Sequence, residues 1–553
     1  EADSVFNFKS EDAFIPYEGK IVRRITIQPV HFYKIIQDTT KVFRNTLIRI
    51  GESLHTDTRE GVIKNNLFIK EGQALNPYRL ADNERFLRDL NFIKDSRIYV
   101  VEYDEESDSV DLLVMTRDVF SLGASLDPSS PTAANWLLQE ANLLGTGLRL
   151  AYTGLYDSDR RLEFGSEFSV RQNSIAGSFV NGTIGHTNID NARSLGNENE
   201  SAVYLRLDRP LFMPYARWAG GVELSRNWSR NVFQRPDSLF ARYAYSIQDY
   251  WAGVTFGDTR ATRLGRENRH RRFLSARVLD QHFIVSPGVN LSPRDQLLYG
   301  NRLLVLSQLT LFRQDFYKTK YIYGFGRTED VPYGYSVSVT AGWEKQFGQT
   351  RPYWAGEVQR SFTSRGNILS IDAQFGGYVS NRKAEDASVK ITASYFSKLY
   401  ELKKIKVRHA FELGFGRIYR RSIKNPLDIN GDNGIQGFRA DSLSGDSRLR
   451  LRMDAIVFTN WKLLGFNFAI VPQIDLAFIA ERNQEVLGGR FFQGLSLGLR
   501  TRNENLIFNT VEVRGYFYPT TVESIDHYRV NVTASLRIKY PTALVRAPET
   551  LFN

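Results

Sequence analysis

The chain has 553 residues, 42% hydrophobic and 13% aromatic, which allows a large core and excludes a disordered chain. It has no cysteine, which excludes a disulfide scaffold, thiolate-held zinc, an iron–sulfur cluster and a cysteine nucleophile. Its 72 basic and 61 acidic residues leave a net charge of +11, which favours an anionic partner such as lipid headgroups or a phosphorylated glycolipid. No Lys/Arg-dense tail or nucleic-acid motif accompanies that charge, so nucleic acid is not expected as a partner. No run of 18 apolar residues occurs, so no transmembrane helix is expected. No signal peptide is visible, and a start at Glu1 fits a mature, processed form.

Residues 1–17 read as an N-terminal extension. Residues 18–118 read as a small α+β domain in the order strand, helix, helix, strand, strand. Ile21–Gln28 alternates as a strand does. Thr56–Phe68 has helical spacing, with Thr56 or Asp57 as its N-cap. Asn76 and Pro77 open a second helix, whose apolar stripe is Leu80, Phe86, Leu87 and Leu90. Strands follow at Ser96–Glu102 and Ser109–Met115, joined by the polar turn Asp104–Asp108. Residues 31–55 do not fit this unit and read as an insertion or as an extension of the first helix.

From residue 119 to 553 the helical signal disappears and period-2 alternation takes over. In Tyr528–Tyr540, Val530, Val532, Ala534, Leu536 and Ile538 oppose Asn531, Thr533, Ser535, Arg537 and Lys539. In Arg448–Asp454, Leu449, Leu451 and Met453 oppose Arg448, Arg450, Arg452 and Asp454. Sandwich strands average ~5–6 residues, whereas membrane-barrel strands need ~9–11. The runs here reach the longer figure, aromatics recur near their ends, and no fixed repeat suggests a propeller or solenoid. The fold class expected is mainly β: a transmembrane antiparallel β-barrel behind a small α+β domain. About fifteen candidate strands precede Lys424 and five follow it.

Several segments carry a family resemblance. Phe68–Leu75 (FIKEGQAL) and Arg85–Asp95 (RFLRDLNFIKD) in the soluble region resemble a polypeptide-transport-associated (POTRA) domain. Asn142–Gly147 (NLLGTG) resembles a tight turn early in the barrel, with Asn142, Gly145 and Gly147 as its defining residues. Gly434, Ile435, Gln436, Gly437, Phe438 and Arg439 resemble the V/I-R-G-F/Y motif of an inward-folded loop six, followed by Gly445, Asp446 and Asp454. Asp475 and the run Gly498–Arg500 resemble later wall positions. In this order and spacing the chain resembles the BamA-like outer-membrane assembly superfamily from about residue 18 to the end. The resemblance implies sixteen strands, against about 20 by count. It also implies a loop arginine bonded to a wall aspartate. Gln436 stands at the arginine's place, so either its amide bonds Asp475 or Arg439 supplies the charge. Asp454 replaces a glutamate, Ala477 replaces a glycine, and one POTRA-like domain stands where the main assembly factor has several. The resemblance thus points to a specialised paralogue in the bacterial outer membrane, with its N-terminal domain in the periplasm.

The function expected is insertion or transport of polypeptides through a barrel seam, which lends a strand edge to an incoming chain. The seam candidates are Val119–Leu126 and Tyr528–Tyr540, weakened at Gly123; the blander reading of Gly123 is relief of crowding. The edge Arg97–Val101 would receive clients, or else belongs to a rigid spacer. The alternatives are a pore and a structural scaffold of a larger envelope complex. Partners expected are outer-membrane lipid and lipopolysaccharide, unfolded outer-membrane or secreted clients, and periplasmic or lipoprotein accessory subunits. The basic run Arg263–Arg272 would touch lipopolysaccharide if it lay at the outer rim, and is otherwise a solvated loop.

No enzyme activity, cofactor or metal is expected. Gly494–Gly498 fits G-x-S-x-G by letters but lies in an alternating strand with no helix after it. His31, His55, His186, His270, His282, His409 and His527 form no metal-binding pair. Asp428–Asp432 starts like a calcium loop, but Asn433 and Arg439 stand where glycine and glutamate belong.

Overall fold

Where side chains alternate in and out over long runs, a sheet can close on itself and leave no edge. The computed structural model shows that outcome. It describes residues 8–30, 34–35, 38–42, 56–101, 107–130, 132–189, 198–257, 269–288, 299–380, 382–440, 443–506, 510–522, 526–536 and 545–551. His31, His55, Arg263, Arg266, Asp104 and most of the expected insertion lie outside those residues. Within the insertion, Lys34–Ile35 and Asp38–Val42 pair as a short antiparallel ribbon.

The N-terminal domain is a three-stranded sheet with Ser109–Asp118 at its centre. Ile21–Val30 runs parallel to it on one side and Ile93–Val101 antiparallel on the other. Helices Glu60–Lys64 and Pro77–Asp89 close the core around Val22, Ile63, Leu80, Leu87, Phe92 and Leu112. The second helix begins as its sequence predicts: Asn76 Oδ1 accepts from the Arg79 N–H at 2.9 Å, with Pro77 at the first position. The first helix is shorter than expected, and neither Thr56 nor Asp57 caps it; Arg59 holds the N-cap position without a side-chain bond. The adjacent Thr58 is instead drawn to Asp118, whose Oδ2 accepts from both its N–H and Oγ1 at 2.7 Å.

The barrel has 20 antiparallel strands, and the last lies against the first. Fifteen run from Leu122 to Tyr419 and five from Ser447 to Leu536. The alternation therefore counts correctly, and the sixteen implied by resemblance is corrected to 20. The first strand, Leu122–Ser130, starts later than expected, because the Val119 N–H bonds back to Phe92 O at 3.0 Å. Outward residues are apolar and inward ones polar, as membrane-spanning barrels require. Among the described residues no helix is long and apolar enough to cross a membrane.

Strand length varies around the barrel. On one side of the closing pair, Ala133–Glu140 and Asn181–Thr187 have 8 and 7 residues. On the opposite wall, Arg302–Thr319 and Glu329–Gln346 have 18 each. At ~3.3 Å per residue and a tilt near 40°, eight residues rise about 20 Å, below the ~25 Å apolar band of such barrels.

Candidate functional site

The 420–446 connection folds into the barrel. Leu427–Asp428 pairs with Ser444–Gly445, and this hairpin carries the Gly434–Arg439 tip against the lumenal wall. Ile435 and Phe438 are fully buried there; the Phe438 ring lies 5.7 Å from that of Phe492 and 5.4 Å from that of Tyr518. Gly437 has φ +74°, and a Cβ on it would stand 2.6 Å from Tyr518 Oη, so both backbone and space require glycine. Gly494, from the G-x-S-x-G run, lies in strand Arg490–Arg502, directly beneath Ile435.

Asp475 holds this tip, but not as the resemblance implied. Its Oδ2 accepts from the backbone N–H of Gln436 at 2.9 Å and from Gln473 Nε2 at 2.7 Å. Its Oδ1 accepts from Arg452 Nε at 2.7 Å. Arg452 also donates to the carbonyl of Gly434 at 3.2 Å. The Gln436 amide does not take the arginine's place, and neither does Arg439, which is exposed and makes no ion pair among the described residues. The guanidinium that meets Asp475 comes from the wall and not from the loop: Arg452 faces it across the ladder. The alternating Arg448, Arg450 and Arg452 marked this lumenal row, but register alone decides which one meets Asp475.

Asp454, expected as a second wall partner, lies opposite Gln473 in the ladder and makes no hydrogen bond with the loop among the described residues. It shares the lumenal face with Arg452, two residues further along the strand. The calcium-like run binds its own backbone. Asp428 Oδ1 accepts from Asn430 N at 2.9 Å, and Asn430 Oδ1 from Ala440 N at 2.8 Å. No cluster of three metal-ligating side chains occurs among the described residues.

The Asn142–Gly147 turn faces the N-terminal domain. Asn142 Nδ2 donates to Thr58 Oγ1 at 2.8 Å, and its Oδ1 accepts from Gly147 N at 2.7 Å. Gly145 has φ +71°, and a Cβ there would meet Asp57 O at 2.4 Å. Beside this socket, the Phe68 and Phe86 rings of the domain pack edge-on against Phe179 and tilted against Phe212 of the barrel turns.

The junction also buries charges. Arg88 reaches Asp330 at 2.8 Å and Glu84 at 2.6 Å, and Lys318 reaches Glu84 at 2.5 Å. Burial would raise the Glu84 pKa, but Lys318, Arg88 and Arg97 hold it down to about 2. Burial wins at Asp82, raising its pKa despite Arg269 at 3.2 Å. Arg269, 3% exposed, fits neither the outer rim nor a solvated loop, the two readings of the basic run. The described part of that run lies at the domain end of the barrel, with Arg269 between Asp82 and Asp315, and not at the opposite rim.

The closing strands show a weak seam. Gly123 and Pro128 both lie in the first strand, and Pro128 has no N–H for either ladder. On the last strand, Tyr528 and Val530 are 74% and 72% exposed, more than any other large apolar side chain on a described barrel strand. Val545–Leu551 also lies inside the barrel, near Arg277 and Tyr353.

No family model and no curated protein matches this chain. Among solved structures it is similar to CdiB from Acinetobacter baumannii, at 12% identity and TM-score 0.42, over 96% of this chain and 77% of that one. CdiB from Escherichia coli gives 11% and 0.43, over 96% and 79%. BamA from Haemophilus ducreyi lacking POTRA domains 1–3 gives 9% and 0.36, over 93% and 84%. In fold, the chain resembles BamA-like outer-membrane β-barrels.

Proposed function

We propose that this protein inserts or translocates polypeptides at the bacterial outer membrane, with the closing strands as the site where a client pairs. The observation that carries this reading is the seam. Short strands lie on one side of it, its first strand contains Gly123 and Pro128, and Val530 and Tyr528 stand uncovered on its last. Short strands thin the apolar band locally, which lowers the cost of bringing polar backbone into the membrane. The inward loop, tied to Asp475, braces the wall strands next to that seam.

On this reading the N-terminal domain is POTRA-like and periplasmic. Its outer strand Ile93–Val101 offers an edge, with Tyr99 and Val101 41% and 40% exposed. Clients are unfolded outer-membrane or secreted polypeptides, and accessory subunits would dock on the domain's free surface. The passive-pore alternative has less support, because the loop and Val545–Leu551 occupy the lumen.

The test is reconstitution into liposomes with an unfolded outer-membrane barrel as client. Folding should accelerate with the protein present, and a crosslink across the closing strands should abolish the acceleration. Acceleration that survives the crosslink, or none at all, would overturn the reading.

A further inference from the structure

We propose that the lumen contains a binding groove for an extended polypeptide, and that Val545–Leu551 is its displaceable resident ligand. The inference goes beyond the insertion reading and does not require the seam to open.

The segment climbs the lumenal wall. Val545 packs with Ala219, Phe273 and Phe312, near the end of the barrel that faces the N-terminal domain. Arg546 pairs with Glu357 at 3.1 Å. Midway, Arg277 Nη1 donates to Pro548 O at 2.9 Å. At the far end the Leu551 N–H donates to Tyr353 Oη at 3.0 Å, and Lys424 Nζ donates to Leu551 O. The Leu551 side chain is buried among Tyr243, Tyr245, Phe283, Tyr299, Tyr353 and Tyr378. Seven residues thus trace a path along the barrel axis, with an apolar anchor at each end and the carbonyls of Pro548 and Leu551 read by the side chains of Arg277 and Lys424.

Three features mark the occupant as exchangeable. First, it forms no β-ladder, and its hydrogen bonds to the wall run through wall side chains. Second, those side chains keep a hydrogen-bond partner when the segment leaves. Arg277 is held bidentate by Asp249 at 2.8 and 2.7 Å, Glu357 accepts from Gln374 Nε2 at 3.1 Å, and Lys424 reaches Ser388 at 3.3 Å. Departure of the segment therefore leaves Arg277 ion-paired to Asp249, with Glu357 and Lys424 each still hydrogen-bonded. Third, a cavity of about 510 Å³ adjoins it, lined by Glu549, Thr550 and Leu551 on one side and Asn425, Asp428 and Asn433 of the loop on the other. The aromatic cup around Leu551, by contrast, is poorly suited to water once vacated. A groove with carbonyl-reading donors and apolar cups suits any extended chain with apolar residues six apart.

The chain has no cysteine, so Thr550→Cys places a single thiol at a site that is 5% exposed. In the folded, reconstituted full chain its labelling by a maleimide should be far slower than that of Asp237→Cys in an exposed loop. Adding Leu551→Asp should speed labelling at position 550 by about tenfold or more, since a buried leucine is worth over one decade of occupancy. A fluorescent peptide of sequence VRAPETL should then bind the Leu551→Asp chain, and VRAPETD should not. Equal labelling of Thr550→Cys and Asp237→Cys would overturn the proposal without any destabilising variant. Failure of VRAPETL to bind a Leu551→Asp chain that still shows heat-modifiability would overturn it as well.

Discussion

Asp475→Asn isolates the bond that holds the inward loop. Asp475 is 2% exposed and accepts three hydrogen bonds, from Arg452, Gln436 N–H and Gln473. Asparagine keeps one carbonyl oxygen and sets an NH2 group against donors on the other side. Arg452 then loses its carboxylate and falls back on the carbonyls of Gly434 and Gly431, at 3.2 and 3.4 Å. Breaking a buried pair costs about 3–5 kcal/mol, and the remaining carbonyls reduce this to about 3 kcal/mol. At ~1.4 kcal/mol per decade, the open-loop population rises roughly a hundredfold. The assay is limited trypsin digestion, since the exposed Arg439 places a cleavage site in the loop. Gln436→Ala is the contrast: its contact is made by the backbone, so its effect stays within about 0.5 kcal/mol. Unchanged digestion of Asp475→Asn, or equal damage from Gln436→Ala, would refute this account of the loop.

Gly437→Ala sets a Cβ against Tyr518 and strains a positive φ; it should lower the unfolding midpoint in urea, by about 2 kcal/mol or more. Gly145→Ala collides with Asp57 O and should loosen the domain socket, read as faster protease release of residues 56–118 with the barrel's heat-modifiability intact. The junction should also respond to acid. Glu84 falls from 4.5 to about 2 on folding, worth roughly 3 kcal/mol that is present above pH 4.5 and lost as pH falls through 2. Asp82, whose pKa is raised, works in the opposite direction and reduces the net effect. Domain release measured against pH should therefore rise below about pH 4.5. In Glu84→Gln that acid dependence should flatten, with release already raised at neutral pH.

The barrel was legible because alternation is local: each run, such as Arg448–Asp454, declares its two faces without reference to any other strand. Counting such runs outperformed the family resemblance on strand number. The loop tip was legible through the spacing of Gly434 and Gly437. What pairs with it was not, because Arg452 meets Asp475 only through ladder register, which a single sequence does not fix. Asp82, Glu84, Arg85 and Arg88 lie outside the apolar stripe of the second helix, so their burial at the junction has no signal in the sequence. Alternation also does not say which end of a strand meets which side of the membrane, so the place of the Arg263–Arg272 run stayed open between an outer rim and a solvated loop. Val545–Leu551 has no periodicity at all, and its place in the lumen is a purely tertiary fact.

The central claim is that a client pairs with the last strand. A photoreactive residue at Val530, compared with one at Leu309 on the opposite wall, tests it directly in liposomes during client folding. The account predicts client crosslinks at position 530 and none at 309. Crosslinks equal at both positions, or absent at 530 while the client still folds faster, would contradict it.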